Sequence, residues 1–381
     1  MKKDQIAFIK IRKQWGNQLI KNLKNLNKDS QLINHRYQIE HHNDYILFPL
    51  INKSSIRCKI LKKIEKQGLK FDIIYREPAV NKDYKYRTLQ EALNKKIPKK
   101  YLEFIPQSYD VIGTIAIVEF SGPNVFSLEI PLAIRKTISE AITQVNKGVK
   151  SVYEKNSEIK GEYRLRKLRH LFGEKKTETL YKENHCKFRL DVQKTFFTPR
   201  LVFERRRVSN LTYQKEEIVA DLFAGVGPFS IQIAKKHQVS IYAFDKNATA
   251  IQYLKENIKL NSLQGMVKAF NMDIRTLIHQ NNSTGNELAH TMDRIIMNLP
   301  EKSIDFIDIA CYLLKPQGGI IHSYQFSEKE RALQNALERL QSSLKKVHWK
   351  IEKVISKKVV KPYSPKKDLV VLDVFVKHNK I

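Results

Sequence analysis

Three carboxylates close three successive strand-like stretches: IVAD ends on Asp221, SIYAFD on Asp245 and AFNMD on Asp273. Between the first two runs DLFAGVGPFS, where Gly225 and Gly227 allow a tight turn and let the backbone approach a ligand with no Cβ in the way. A helix expected to begin near Phe229 would offer free N–H groups there. Asp245 follows Gly225 by 20 residues, the interval at which a carboxylate can take both hydroxyls of a ribose, and Asp273 is placed to meet an adenine amino group. The glycines alone would also suit a plain structural turn, and Ser230 stands where a full dinucleotide fingerprint has glycine or alanine. Three negative charges on one rim disfavour a pyrophosphate and favour S-adenosylmethionine, which carries a sulfonium and an ammonium. A fourth strand ends in Asn298-Leu299-Pro300. There a side-chain amide can donate to and accept from a nucleobase edge, while the proline fixes the turn without adding a donor; a strand followed by proline is mere punctuation when it stands alone.

Holding such residues on one rim requires strands and helices in alternation, and the sequence supplies it after residue 191: IVADLF, SIYAFD, MVKAFNMD, DRIIMNLP and GGIIHSYQF with helical stretches between them. That order predicts a parallel sheet covered on both faces, with ligands at the carboxyl ends of its strands. KIEKVISKKVV and DLVVLDVFVK lack an intervening helix, so the last pair is expected to be antiparallel. Residues 101–190 read as a middle α+β domain, with VIGTIAIVEF, VFSLEIPL and KFRLDV as strands and LAIRKTISEAITQVNKGVKSVYEK as helix. Residues 1–52 read as a small α+β unit: IAFIKI as a strand, GNQLIKNLKNLNKDS as a helix, then two short strands around an Asn43-Asp44 turn. Residues 53–100, broken by KK and KKIPKK clusters, read as a linker.

The chain has 69 Lys and Arg against 39 Asp and Glu, a formal charge of +30 spread through helical and extended stretches alike. A folded basic surface of that kind points to nucleic acid, with a Lys-rich genome as the plainer explanation. Residues 1–70 alone carry 16 basic against 5 acidic side chains, which suits an appended binding module. Cys58, Cys186 and Cys311 are far apart, with neither metal-ligand spacing nor a disulfide framework, so no metal is expected and a reducing compartment is. No signal-like or membrane-spanning apolar run occurs, and the expectation is a soluble cytoplasmic protein.

DLFAGVGPFS, AFDKN and DRIIMNLP together resemble the S-adenosylmethionine-binding motifs of class I methyltransferases. SYDVIGTIAIVEF, GEYRLRKLRHLFGE and FRLDVQKTFFTPRLVFERRRV narrow the likeness to the archaeal and eukaryotic tRNA (guanine-37 N1)-methyltransferase family. The resemblance covers essentially the whole chain, strongest over 104–326 and weakest over 53–100. It implies a Rossmann-like catalytic domain with a seven-stranded, mostly parallel sheet at 191–381, preceded by the middle and N-terminal domains. It also implies methyl transfer to N1 of G37 in the tRNA anticodon loop, by a protein that is generally a monomer.

Carried over residue by residue, the resemblance places the general base on Glu204, the catalytic arginine on Arg164 and the target-contacting asparagine on Asn298. Cofactor contacts fall on Asp221, Phe223, Gly225, Gly227, Asp245, Lys246, Asp273, Ile274 and Asn298, and substrate contacts on Phe196, Arg200, Arg205 and Pro300. Guanine N1 carries a proton, so a base is needed; a partly apolar pocket is expected to lift the pKa of Glu204, and Arg164 to stabilise charge developing on O6. Without the resemblance, Glu204 reads as an ion-pair partner of Arg205-Arg206-Arg207 on a solvated face, and Phe196 as a core aromatic. The chain departs from the family in having Phe196 where a tyrosine is frequent, in SYD at Ser108 to Asp110, and in an added SGPNVF segment without an assigned role. Two other readings stand beside it: the wyosine-pathway enzyme that moves the aminocarboxypropyl group of the same cofactor, and a basic RNA-binding protein with a degenerate methyltransferase domain. The carboxylates and glycines count against the second. Glu301 after Pro300 makes an amino-methyltransferase a poor fit.

Overall fold

The computed structural model describes residues 5–25, 32–51, 54–94, 96–120, 130–157 and 161–379. The chain forms two compact units, Met1–Arg87 and Thr88–Ile381.

In the first unit, β1 (Ile6–Arg12), β2 (Glu40–His41), β3 (Tyr45–Pro49) and β4 (Asp72–Arg76) form an antiparallel sheet in the order β2-β3-β1-β4. Alternation along β1 turns Ala7, Ile9 and Ile11 into one core. Helix α1 (Lys13–Asn25) adds Leu19 and Leu23, and α2 (Ser54–Glu65) adds Ile60 and Ile64, each pair one helical turn apart. The linker expected at 53–100 is therefore corrected. Its apolar residues recur at helical spacing in α2, and its DIIYR stretch pairs with β1 as an edge strand, so the unit extends to Arg87.

In the second unit, β5 (Asp110–Ile112), β6 (Ile115–Val118), β7 (Ser151–Lys155) and β8 (Leu168–Gly173) form a sheet in that order, β6 and β7 being parallel across α3 (Leu132–Val145). The SGPNVF segment and most of the strand expected at VFSLEIPL lie outside the described residues. A hairpin follows, β9 (Glu178–Glu183) and β10 (Cys186–Asp191), turned by Asn184 and His185 at positive φ. KFRLDV was expected in the middle domain; the hairpin instead docks onto the catalytic part. Helix α4 (Val202–Ser209), α5 (Ser230–Lys236) and α6 (Ala248–Leu260) come next, and Asn257 and Asn261 of α6 bond the backbone of Arg189 and Lys187 on β10.

The large sheet comprises β11 (Ile218–Asp221), β12 (Ser240–Asp245), β13 (Met266–Asn271), β14 (Arg294–Met297), β15 (Gly319–Glu328), β16 (Trp349–Pro362) and β17 (Lys367–His378). Its order is β13-β12-β11-β14-β15-β17-β16, the first five strands parallel and β17 antiparallel to both neighbours, as expected for the final pair. Both faces are buried: along β17, Leu369 and Val371 enter one apolar cluster, and Val370, Leu372 and Val374 the other. The chain order reverses between β11 and β14, which opens a crevice at their carboxyl ends. Among the described residues, no helix is long and apolar enough to cross a membrane.

Candidate active site

At the end of β11 the chain turns through Gly225 and Gly227, both in the left-handed region at φ 57° and 87°. A Cβ on Gly227 would meet only side-chain ends, chiefly that of Leu254, which can move aside, so it is the left-handed backbone that calls for glycine here. Asp245, ending β12, locks the turn from the next strand: one carboxylate oxygen accepts from the Gly225 amide at 2.8 Å and the other from the Asn247 amide at 2.8 Å. Burial pushes its carboxyl up, and the two amides oppose that shift.

Asp221 is 1% exposed. The Ser230 hydroxyl donates to one of its oxygens at 2.7 Å, while the other, Oδ1, is buried without a hydrogen-bond partner among the described residues. Burial raises this carboxyl to about 7, and the nearby Asp245 charge adds to the rise. A buried oxygen left unpaired is costly, and a cationic ligand group would relieve it. The residues thus fit S-adenosylmethionine: a glycine turn that admits a close approach, two carboxylates beside it, and an oxygen in want of a cation.

Asp273 lies two residues beyond the end of β13, where its carboxylate caps the short 3-10 turn Ile274–Ile278 by accepting from the Arg275 amide. Lys246 bridges it to Glu162 at 3.0 and 2.6 Å, so the GEYR turn reaches the cofactor rim. Ile274 is buried, and Phe223 packs edge-on against Phe306 at 5.2 Å.

Arg164 sits at φ 55°, a left-handed conformation unusual for arginine, with its guanidinium 5.0 Å above the Phe196 ring and 3.5 Å from Glu301. Its Nε is buried without a hydrogen-bond partner among the described residues. Phe196 is 37% exposed, whereas Phe197 beside it is packed against Tyr181 and Phe188. Of the two aromatics, Phe197 is the core residue and Phe196 faces the site. Asn298 follows directly on Met297, which pairs with Ser323 on β15, and the Pro300 carbonyl accepts from the Phe326 amide. The NLP turn is thereby fixed beside Tyr324.

Glu204, on α4, is 2% exposed and closely held. Arg207, one turn along, donates from Nε at 3.0 and 3.1 Å and from Nη2 at 2.7 Å. The Tyr324 hydroxyl donates to Oε1 at 2.7 Å, and Lys358 on β16 reaches Oε2 at 2.8 Å. Burial alone would push the Glu204 carboxyl up, but Arg207, Lys358 and Tyr324 hold it below the usual carboxylate range. The expected elevation is corrected: the pocket is polar and cationic where an apolar one was anticipated. Of the plainer reading, the ion pair with the arginine run holds through Arg207, but the solvated face does not, because Glu204 is buried. Behind Glu204, Arg207 pairs with Asp373 of β17 at 2.6 Å, Asp373 accepts from His322 Nδ1 at 2.6 Å, and Arg294 donates to His322 Nε2 at 3.0 Å. That chain fixes the imidazole as the neutral Nδ1–H tautomer, in keeping with burial lowering its pKa.

Two arginines separate clearly. Arg200 is half exposed and pairs with Asp110 at 2.7 Å, so it can face a solvent-borne partner. Arg205, expected at the substrate, is 2% exposed and is spent on a two-pronged bond to Glu183 and on the Thr198 carbonyl. Its place in the RRR run gave no sign that α4 turns this one position inward against the β9–β10 hairpin. Tyr324, Lys358, Asp373, His322 and Glu162 were not anticipated, and Arg207 only as an ion-pair partner of Glu204. A signal existed for one of them, since Asp373 interrupts an otherwise apolar strand, VVLDVFV.

A doubly covered parallel sheet closed by an antiparallel β17, with this carboxylate-lined glycine turn at its switch point, defines a class I S-adenosylmethionine-dependent methyltransferase. Residues 179–352 match the TRM5/TYW2 methyltransferase domain, and residues 89–177 the TYW2 N-terminal domain. The tRNA (guanine(37)-N(1))-methyltransferase Trm5b of Pyrococcus abyssi is 40% identical over 280 residues, covering 73% of this chain and 77% of the relative. Its namesake from Methanocaldococcus jannaschii is 33% identical over 367 residues, 96% and 97% of the two chains. The structure of aTrm5 in complex with tRNALeu superposes with a TM-score of 0.70 at 33% identity, covering 97% of this chain and 99% of that one. The chain belongs to the TRM5/TYW2 methyltransferase family.

Proposed function

We propose that the protein transfers the methyl group of S-adenosylmethionine to N1 of guanine 37 in tRNA, acting as a monomer, with Glu204 as general base. The observation that carries this reading is a buried, ionised carboxylate held by Tyr324 next to the Asn298 turn, at the same end of the sheet as the glycine loop. Bound there, the cofactor supplies an electrophilic methyl group. Asp221, Gly225 and Asp245 hold and orient it, with Asp273, Lys246, Phe223 and Ile274 along the rim. Asn298 reads the guanine edge, Pro300 shapes the turn, and Phe196 stacks on the base flipped from the anticodon loop. Glu204 takes the N1 proton, so that the ring nitrogen lone pair is free to form the N–C bond. Arg164, whose Nε has no partner among the described residues, stabilises the charge that develops on O6. Its low pKa makes Glu204 charged throughout the neutral range, so its competence rests on placement and on release from its own cations. Arg200 contacts phosphate, and the basic first unit binds the folded body of the tRNA by shape and charge.

A tritium-transfer assay with full-length tRNA bearing G37, its G37→A counterpart and a Glu204→Gln enzyme tests this. Labelling of the G37 transcript alone, reduced about 100-fold or more by Glu204→Gln, is the expected result. The match of residues 89–177 to a TYW2 N-terminal domain favours aminocarboxypropyl transfer as a second reading. Product formation only from a wyosine-intermediate tRNA would establish that instead. Sedimentation velocity checks the monomer.

A further inference from the structure

Glu204 is capped on its solvent side. Its donors are Arg207 on its own helix, Tyr324 on β15 and Lys358 on β16, with Asp373 and His322 behind Arg207. Tyr324 is fully buried and the Arg207 side chain 21% exposed, whereas Lys358 is 38% exposed. Arg207 is also anchored by a second carboxylate, Asp373, while Glu204 is the sole carboxylate recorded for Lys358 among the described residues. The most accessible and least anchored donor therefore occupies Oε2, an oxygen with which the carboxylate could meet an incoming proton.

We propose that Lys358 is an exchangeable cap on the base: a phosphodiester flanking the bound guanosine draws its ammonium away from Glu204 and opens the outer position on Oε2, which keeps only its bond from Arg207 Nε. The inference rests on Glu204 being the base. Lys358 neutralises the buried carboxylate in the RNA-free protein, where an uncompensated charge would be costly. A substrate carries its own anions, and an ammonium on a flexible four-carbon stem can exchange one anion for another, as the fixed guanidinium of Arg207 cannot. Losing the cap leaves Glu204 with fewer cationic donors and makes it a stronger base at the moment guanine arrives. Lys358 is thus a positioning residue, and the RNA backbone takes part in activating the base.

The test uses full-length protein under single turnover, with tRNA carrying either natural linkages or neutral methylphosphonates on both sides of G37. For the wild type, the neutral linkages should lower the rate at saturating tRNA by about ten-fold or more, because the cap stays in place. In Lys358→Met that ratio should collapse to near one, and Lys358→Arg, which keeps the charge, should restore part of it. Equal slowing of wild type and Lys358→Met, or slowing of neither, overturns the proposal. Lys358→Met that is as slow as Glu204→Gln with natural linkages also overturns it, since Lys358 would then be required at the base. If Glu204→Gln itself methylates at the wild-type rate, the assignment of the base fails, a result separate from these ratios.

Discussion

Replacing Asp373 with asparagine removes the carboxylate shared by Arg207 and His322 while keeping the side chain's shape. Asp373 is buried, and its carboxyl is held down at about 2, against an ordinary 3.8, by His322 and Arg207 in spite of burial. That depression corresponds to roughly 2–3 kcal/mol in favour of the ionised form, and stripping one partner from a buried pair costs about 3–5 kcal/mol. Asparagine can still accept from His322 through its carbonyl, but its amide then meets the guanidinium as one donor against another. We expect the second unit to lose about 3 kcal/mol. Trp349 is buried on β16, so its fluorescence reports that unit in a Trp15→Phe background, and urea unfolding at pH 7 gives the difference. Because the folded-state value lies below the unfolded one, this stabilisation is present above about pH 4 and is lost as pH falls toward 2. The wild type should weaken across that window more steeply than the variant. A loss below about 1 kcal/mol, or identical acid slopes, would refute the account of the buried chain.

Three further outcomes follow from the same geometry. With Asp221 near 7 before a cation binds, affinity for S-adenosylmethionine should fall as pH drops below about 7, and Asp221→Asn should bind weakly with a flat profile, as calorimetry at several pH values would show. Phe196→Ala should weaken tRNA binding about 10- to 100-fold if the ring stacks on a base, whereas Phe196→Tyr should bind like the wild type; filter binding decides. Arg200→Ala should reduce the salt slope of tRNA affinity by about one, while Arg205→Ala should instead cost about 3–5 kcal/mol of stability with no specific change in slope.

The glycine turn and the carboxylates proposed for the cofactor were legible as a local arrangement because their logic is local and periodic. Asp221, Gly225 and Asp245 lie within one strand-turn-helix-strand repeat, and the rule that ligands gather at strand ends turns that repeat into a rim. The base side was not legible, for a physical reason. Glu204 was found by resemblance, but its environment is made by Tyr324, Lys358 and Asp373, from strands that no spacing rule links to α4. The expected apolar pocket came from general practice in raising carboxylate pKa values; of the partners that lower this one, the sequence around TPRLVFER shows only Arg207 in the adjoining arginine run and carries no trace of Lys358 or Tyr324. Arg205 misled for a related reason, since three adjacent arginines on a helix point in different directions and only the packed hairpin shows which one is inside. The extent of the first unit was missed because lysines in α2 and its flanks obscured a short apolar face.

The two halves of the site also differ in how far apart in the chain their contacts lie. Asp245 reaches Gly225 across 20 residues, whereas Glu204 meets Tyr324 across 120 and Arg207 meets Asp373 across 166. Closing the short loop costs little entropy, and closing the long ones waits on β15, β16 and β17 being seated. During folding, the cofactor turn can therefore take shape while the base is still unassembled. If Glu204 is the base as proposed, a chain whose β16–β17 ribbon has frayed would keep the glycine turn yet lose the setting of that carboxylate, so cofactor binding and turnover should be lost at different denaturant concentrations.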